Sequence, residues 1–532
     1  MKLNLELLKE AKNLKNYQLP QYDPASVASY TKQHPQWMHF GAGNIFRIFP
    51  AVLCQRLLDQ GDMETGVICC EGYDDEIITR CFRPHDNLSI AVTLHTDGKI
   101  EKEIVGSVSE SLTAQHDSDR IREIFENPSL QMVSFTITEK GYAIRDMQNE
   151  IIPAAASDME KGPEGCRHLM SQLAAFCIAR YHACGTPLAL VSMDNCSHNG
   201  EKLRSSVLEI AKAWLEHGKI SADAYAYLSG KISFPWTMID KITPRPDELV
   251  KQQLTADGFE DIAPFVTAKN TYTAAFVNAE KPQYLVMEDS FPNGRPQLEK
   301  AGVYMTDRDT VNRTERMKVT TCLNPLHTAM SVYGCMLGYT LISEEMKDPD
   351  IVNLIRMLGY QEGLPVVTDP GILSPKAFLD EVMEQRLPNP FMPDAPQRIA
   401  TDTSQKVGIR FGETIKNYVA GNLDTGSLIA LPLAIAGWLR YLLAVDDELR
   451  PMEVSADPMK DELQRKLAGI MVGKPETCQN QLREILSNAA VFGSDLTANG
   501  LADKIICMFR EELEGAGAVR RTLQKYCSGS RQ

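Results

Sequence analysis

No hydrophobic run in this 532-residue chain is long enough to cross a bilayer. The longest, residues 428–439, contains Pro432 and ends at Arg440. Positive charge is also scarce: 55 lysines and arginines stand against 70 aspartates and glutamates, a formal net charge of −15. A surface of that sign argues against nucleic acid or an anionic membrane as the main partner, and leaves only local basic pockets for anionic small molecules. There is no low-complexity tract, and the opening residues Met1, Lys2, Asn4 and Glu6 are too polar for a secretory leader. The 13 cysteines are odd in number and often lie inside apolar runs, as at Cys54, Cys177, Cys335 and Cys507. Buried thiols in a reducing cytoplasm are expected, not a disulfide framework. Cys69 and Cys70 adjoin in a candidate strand and so face opposite ways, as packing groups. A strong metal motif is missing as well. Asp194, His198 and Glu201 sit in a dense polar cluster, but their spacing matches no zinc pattern. Helix capping by Ser197 or Asn199 is the preferred reading there, and no metal is expected.

A chain of this length exceeds one ordinary core, so two large domains are expected. Residues 1–36 read as an amphipathic helix over 5–14 and a Pro/Tyr-rich connector. Residues 37–40 read as a strand that runs into Gly41 and Gly43, then an apolar-periodic helix through Phe49, Val52, Leu53 and Leu57. Strand, glycine turn and helix let the backbone approach a pyrophosphate, whose charge a helix N-terminus favours. The third glycine of the usual fingerprint is absent, and Phe46 stands in its place. A second strand, 66–70, is followed by Glu71. An acid there accepts hydrogen bonds from an adenosine ribose, favouring NAD over NADP, though it lies farther on than the usual spacing of about 20 residues.

Residues 88–94 and 104–108 read as an antiparallel insertion. Strands at 132–138 and 188–192 run into Glu139, Lys140 and Tyr142, and into Asp194 and Asn195. These are polar groups at the edge where open α/β sheets bind ligands. Asp240 lies inside an apolar loop, and a strand from Tyr284 ends in Glu288 and Asp289. Beyond residue 305 a 3.6-residue pattern dominates, with helices expected at 326–337, 351–358, 374–386, 396–406, 409–419, 428–444 and 479–490. At the head of this half, Glu315, Lys318, Asn324 and His327 gather within one short segment. A carboxylate, an amine, an amide and an imidazole together can run proton transfer and oxyanion stabilisation without a metal. The tail from Met452, ending in polar residues 528–532, reads as support or a subunit contact.

Taken in order, segments 40–47, 136–142, 193–200, 234–244, 286–289, 294–296, 315–327 and 398–406 resemble the long-chain mannitol dehydrogenase family. These are polyol-specific dehydrogenases that include mannitol, fructuronate and tagaturonate enzymes. The resemblance implies an α/β, Rossmann-type dinucleotide-binding domain over 1–305 and a mostly α-helical substrate domain over 306–532. The active site is then expected between them, with NAD as cofactor, NADP as the alternative, and a monomer or homodimer as the working unit. Lys318 becomes the general base in alcohol oxidation and the acid in ketone reduction. Asn195 and Asn324 donate to the developing alkoxide, and His327 orients the substrate. Asp240 and Glu315 shape a proton path, while Arg398 and Lys406 bind substrate oxygens. Gly41, Gly43, Asn44, Phe46, Arg47, Glu71, Thr138 and Glu139 are the cofactor-binding candidates. The implied substrate is a linear sugar alcohol or hexonate, with D-mannonate/D-fructuronate ahead of mannitol and tagaturonate. A catalytically inactive nucleotide- or sugar-binding relative is the alternative from another class.

One departure from the family bears on all of this. Five residues separate Lys318 from Asn324, where the family pattern has four. On an ideal helix one extra residue turns everything after it by roughly 100°. Val319, Thr320 and Thr321 are β-branched and Pro325 lacks an N–H. A π-bulge or a non-helical turn within 319–323 is therefore expected to absorb the extra residue. Regular helix through both Lys318 and His327 would remove the base assignment.

Overall fold

A computed structural model describes residues 1–10 and 14–527. Two expectations fall partly or wholly outside that range: the helix over 5–14, of which Leu5–Lys9 is described, and the polar tail 528–532. The chain divides into two units, Met1–Asn312 and Arg313–Gln532. The division falls within the helix Arg308–Met317, which follows the expected boundary at 305.

The first unit is built on a six-stranded sheet whose pairings are all parallel. Its strands, in spatial order, are Val108–Thr113, Val67–Glu71, Trp37–Phe40, Met132–Phe135, Leu188–Ser192 and Ile232–Ser233. Numbered along the chain, that order is 3-2-1-4-5-6, the Rossmann arrangement. The four central strands are buried along their whole length. Strands covered on both faces read as unbroken apolar runs, which is why these segments were conspicuous. Cys69 belongs to the core on one face and Cys70 to the core on the other, as alternation along a strand requires.

Three smaller sheets accompany this one, the least of them the two-stranded pair Phe265–Val266 and Tyr272–Thr273. Ser89–Leu94 pairs antiparallel with Ile100–Val105 and parallel with Phe276–Glu280. Thr237–Asp240 pairs antiparallel with Tyr284–Glu288, which runs parallel to Tyr304–Thr306. The insertion's second strand was expected at 104–108. It ends instead at Val105, and Val108–Thr113 joins the main sheet as an edge strand. A second helix, Pro24–Gln33, occupies what read as a connector; Asp23 caps it by accepting from the Ala25 and Ser26 N–H groups.

The second unit is helical, with no named strand among its described residues. Its central helix, Ala430–Tyr441, is buried at every position, as a helix apolar all round must be. It packs on Asn324–Met336, where Gly437 admits the ring of Tyr333: a Cβ at 437 would lie 2.5 Å from that ring. The helix expected over 396–406 does not form. Pro396–Ile399 makes one turn, Asp402 takes a left-handed conformation (φ 53°), and the chain restarts as a 3-10 turn, Thr403–Gln405. Aspartate tolerates that conformation, and a helix interior does not.

Candidate active site

In the first unit, the strand Trp37–Phe40 ends at Gly41, whose N–H donates to the Cys70 carbonyl at 2.8 Å. Gly41 has φ 109°, and a Cβ there would lie 2.2 Å from the Thr136 carbonyl oxygen. Only glycine lets the ends of these neighbouring strands pass so closely. They are also the pair at which the strand order reverses, the switch point where open α/β sheets bind dinucleotides. A Cβ at Gly43, by contrast, would meet nothing within 4 Å, so the turn is open on that side. Glu71, ending its strand at 7 % exposure, accepts from the N–H groups of Ala42 (2.8 Å), Tyr73 (2.9 Å) and Asp74 (3.3 Å). Burial pushes its pKa up, and the three N–H donors oppose that. The acid thus fastens the glycine turn and has acceptor capacity left over. An open turn beside a fixed acid, at the switch point, fits a dinucleotide.

Several cofactor candidates turn away from such a role. Phe46 is fully buried and stacks on His39 with ring centroids 4.4 Å apart. Arg47 is 1 % exposed; it donates to the Ala274 carbonyl (2.6 Å), Thr273 Oγ1 (2.9 Å) and Asn44 Oδ1 (2.9 Å). It anchors residues 273–274, with the Asn44 side chain engaged in the same network. Glu139 pairs with Lys202 at the surface. The sequence marked these positions by proximity to the glycines, but a short helix shares its side chains between core and solvent. Thr138 adopts φ 64°, and its N–H donates to Asp194 Oδ1 at 2.9 Å.

That last contact settles the polar cluster. Asp194 also accepts from the Ile137 N–H (2.9 Å) and the Tyr142 hydroxyl (2.5 Å), so its carboxylate holds the turn at 137–142. His198 stacks on Trp236 instead, and Glu201 pairs with Arg204. The three do not form a ligand set, and no metal-holding group of three such side chains occurs among the described residues. The expected capping role is met only in part. Asn199 is buried; its amide donates to the Asp194 and Thr237 carbonyls (3.0 Å each) and accepts from the Thr237 N–H (3.1 Å). It ties two strand ends together, and its oxygen also accepts the Gly200 N–H (2.7 Å) in the first turn of helix Asn199–Glu216, although His198 is the cap residue. Asn195 lies exposed in the loop leaving strand Leu188–Ser192, while Asp240 is 5 % exposed at the end of its own strand.

In the second unit the expected irregularity is present. Lys318–Cys322 is a π-helical turn: the Leu323 N–H reaches back five residues to the Lys318 carbonyl at 3.1 Å. Ordinary spacing resumes when the His327 N–H bonds to the Leu323 carbonyl at 3.0 Å. The wide turn takes up the extra residue that a regular helix would have converted into rotation. Lys318 is 3 % exposed, Glu315 is half-buried a turn before it, and Asn324 opens the helix Asn324–Met336 with Pro325 next. Leu323, not Asn324, is the cap residue, so the amide is not spent on capping.

Distant segments gather around His327. Its buried Nε2 lies 3.3 Å from Asp394 Oδ2, in ion-pair contact but without a well-formed hydrogen bond. Burial lowers the ring's pKa, and Asp394 resists only partly. Asp394 accepts from Arg398 Nε (2.8 Å) and Nη2 (2.5 Å). Burial works against this carboxylate, yet His327 and Arg398 outweigh it and hold its pKa low. Lys406 donates to the Thr401 carbonyl; burial and the charge of Arg410 depress its pKa. Arg410, in the π turn Gly408–Gly412, donates to Thr328 Oγ1 at 2.5 Å, and burial pulls its pKa down to about 10. The sequence reading passed over Asp394 and Arg410. Each stands four residues from a residue it had chosen, Arg398 and Lys406, and that spacing was the available signal.

Comparisons with known proteins agree with this layout. Residues 35–300 match the mannitol dehydrogenase Rossmann domain and residues 310–514 the mannitol dehydrogenase C-terminal domain. The chain is 48 % identical to a D-mannonate oxidoreductase of Thermotoga maritima, covering 99 % of each chain. It is 28 % identical to a polyol:NADP oxidoreductase of Gluconobacter oxydans, over 85 % of this chain and 88 % of that one. It superimposes on a substrate-free D-sorbitol dehydrogenase with a TM-score of 0.82 and 25 % identity, covering 98 % of this chain and all of that one. With a Rossmann cradle in one unit and a lysine, amide and imidazole set in the other, the chain belongs to the mannitol dehydrogenase family of NAD-dependent oxidoreductases acting on CH–OH groups.

Proposed function

We propose that this enzyme interconverts D-mannonate and D-fructuronate with NAD as cofactor. The observation that carries the reading is the 48 % identity to a D-mannonate oxidoreductase, sustained over 99 % of both chains. Gly41, Gly43 and Glu71 would hold the dinucleotide, which supplies the hydride acceptor when bound. Lys318 takes the proton of the reacting hydroxyl in oxidation and returns it to the ketone oxygen in reduction. Asn195 and Asn324 donate to that oxygen as its negative charge develops, a stabilisation felt most in the transition state. His327 Nε2 has no well-formed hydrogen bond within the protein and offers one to the substrate. Asp240 and Glu315 carry the proton onward, and Arg398 and Lys406 hold substrate hydroxyls. Thirteen free cysteines fit a reducing compartment, and we assign the enzyme to the cytoplasm. No helix among the described residues is long and apolar enough to cross a membrane.

The test is a spectrophotometric screen with NADH and NADPH against D-fructuronate, D-tagaturonate and D-fructose, and with the oxidised cofactors against the corresponding alcohols. D-Fructuronate with NADH should give the highest kcat/KM. A preference for D-fructose would make the chain a mannitol 2-dehydrogenase, and a preference for D-tagaturonate a tagaturonate reductase. No turnover of any pair would leave a binding protein.

A further inference from the structure

Arg410 is a cation without a counter-ion. Its guanidinium is largely withdrawn from solvent, which depresses its pKa to about 10. Its one hydrogen bond among the described residues goes to a neutral hydroxyl, Thr328 Oγ1 at 2.5 Å, and no carboxylate there is in ion-pair contact with it. An arginine taken out of water normally sits against a carboxylate or phosphate, because desolvating the charge alone is costly. Its surroundings deepen the imbalance. Lys406 lies one turn earlier, its carbonyl accepting the Arg410 N–H at 2.8 Å, and each cation lies within range of Arg398 or His327. The carboxylate beside His327, Asp394, is engaged with Arg398 and His327. Asp457 is committed to the Ser404 N–H (2.7 Å) and hydroxyl (2.5 Å), and Asp402 acts on Lys406 only through space. One residue before Thr328, His327 Nε2 is buried with only the 3.3 Å contact to Asp394 and no well-formed hydrogen bond. A surplus of positive charge and an incompletely satisfied ring nitrogen meet at one place.

We infer that Arg410 is the receptor for the carboxylate of a polyhydroxy-acid substrate and sets the preference for hexonates over neutral polyols. The inference rests on the hexonate reading above and gives it a residue. A guanidinium is suited to this task. Its planar fork matches a carboxylate in two parallel hydrogen bonds, and most of its five N–H groups have no protein acceptor here. A neutral polyol presents only hydroxyls at that end. It leaves the charge desolvated and unanswered, so the same feature that favours a carboxylate penalises its absence. Arg398 and Lys406 do not supply this discrimination. The first is paired with Asp394 and 70 % exposed, and the second gives one of its three N–H groups to the Thr401 carbonyl and presents a point charge without the planar fork.

The experiment compares kcat/KM for D-mannonate and D-mannitol in the parent enzyme, Arg410→Lys and Arg410→Met, with NAD saturating. Expected is a loss of about 100-fold on D-mannonate in Arg410→Met, carried by KM. D-Mannitol turnover should change by less than about threefold or improve, and Arg410→Lys should recover part of the D-mannonate loss. Equal losses on both substrates, or no loss on D-mannonate, would overturn the inference while leaving the hexonate reading intact. A parent enzyme that turns over D-mannitol but no hexonate would overturn that reading, and the inference with it. Should Arg410→Met fail to fold, Arg410→Lys still decides the matter. A D-mannonate:D-mannitol preference reduced about tenfold supports the inference, and an unchanged preference refutes it.

Discussion

The two units hold polar chemistry in opposite ways. In the first, polar groups sit where regular strands stop, and fixed backbone hydrogen bonds define them: Glu71 on Ala42, Asp194 on Ile137 and Thr138, Asn199 on Thr237. In the second, they sit where helices lose regularity. Lys318 and Arg410 both lie in π turns, and His327, Asp394 and Arg398 are joined through their side chains. A parallel sheet presents its strand ends in a line, so position along the chain nearly dictates position in the site. A helix must be locally distorted to aim two side chains at one point, and the distortion marks the place.

Breaking the second unit's arrangement should have the largest effect. Lys318→Ala is expected to lower kcat/KM by about 10²- to 10⁴-fold with the KM for NADH unchanged, measured as steady-state D-fructuronate reduction. An unaltered kcat would remove lysine from the proton transfer. Next comes Asn324→Ala, with about 10²-fold lost from kcat and substrate affinity little changed, since the partner proposed for the amide is the alkoxide of the transition state. Deleting Val319 sharpens the same point. It converts the π turn toward ordinary helix and should cost at least about tenfold in kcat, because residues beyond it rotate relative to Lys318. Full activity after the deletion would mean that the wide turn has no aiming role.

In the first unit the effect is smaller and falls on the cofactor. Glu71→Ala leaves the Ala42, Tyr73 and Asp74 N–H groups without their acceptor. It should raise the KM for NADH about tenfold and lower thermal stability, by about 1–3 kcal/mol of unfolding free energy, read from urea titration. An unchanged KM for NADH would reduce Glu71 to scaffolding.

The smallest effect on turnover comes from a buried acid whose influence is read as stability against pH. Glu512 is fully buried beside Tyr333, 2.7 Å from its hydroxyl, and burial raises its pKa to about 8. The Tyr333 hydroxyl is also 2.8 Å from the Leu433 carbonyl, and it has one proton to give. A protonated Glu512 resolves this by donating to Tyr333, whose own proton then goes to Leu433. Because the folded state keeps a proton that the unfolded chain releases above about pH 4.5, this contribution is full below that pH. It declines as pH rises toward about 8, with a slope of at most ~1.4 kcal/mol per unit. Glu512→Gln, which supplies the donor at every pH, should flatten the decline in urea midpoints between about pH 5 and about pH 8. An identical slope in both proteins would place the proton elsewhere.

How much of this was legible depends on the kind of feature. The glycine turn, the central strands and the irregular turn after Lys318 were all visible, because each follows from residue type over a few positions: glycines, apolar runs, β-branched residues before a proline. The edge strand Val108–Thr113 was misplaced, since polar Ser109, Glu110 and Ser111 interrupt its apolar residues and leave no clean period to set it apart from the insertion beside it. Phe46 and Arg47 were misread because nearness to a motif does not say which way a side chain points.

The sequence by itself determined the family and the fold class, and it named the candidates for proton transfer, because these depend on local pattern and order along the chain. Only the tertiary structure decided which polar groups are spent on the fold and which remain for a ligand. Asp194 and Asn199 proved to be structural, and Arg410 proved to be a charge in search of a partner. Hydrogen-bond satisfaction depends on what lies within about three ångströms in space. Between Arg410 and Thr328 that distance spans 82 residues of chain.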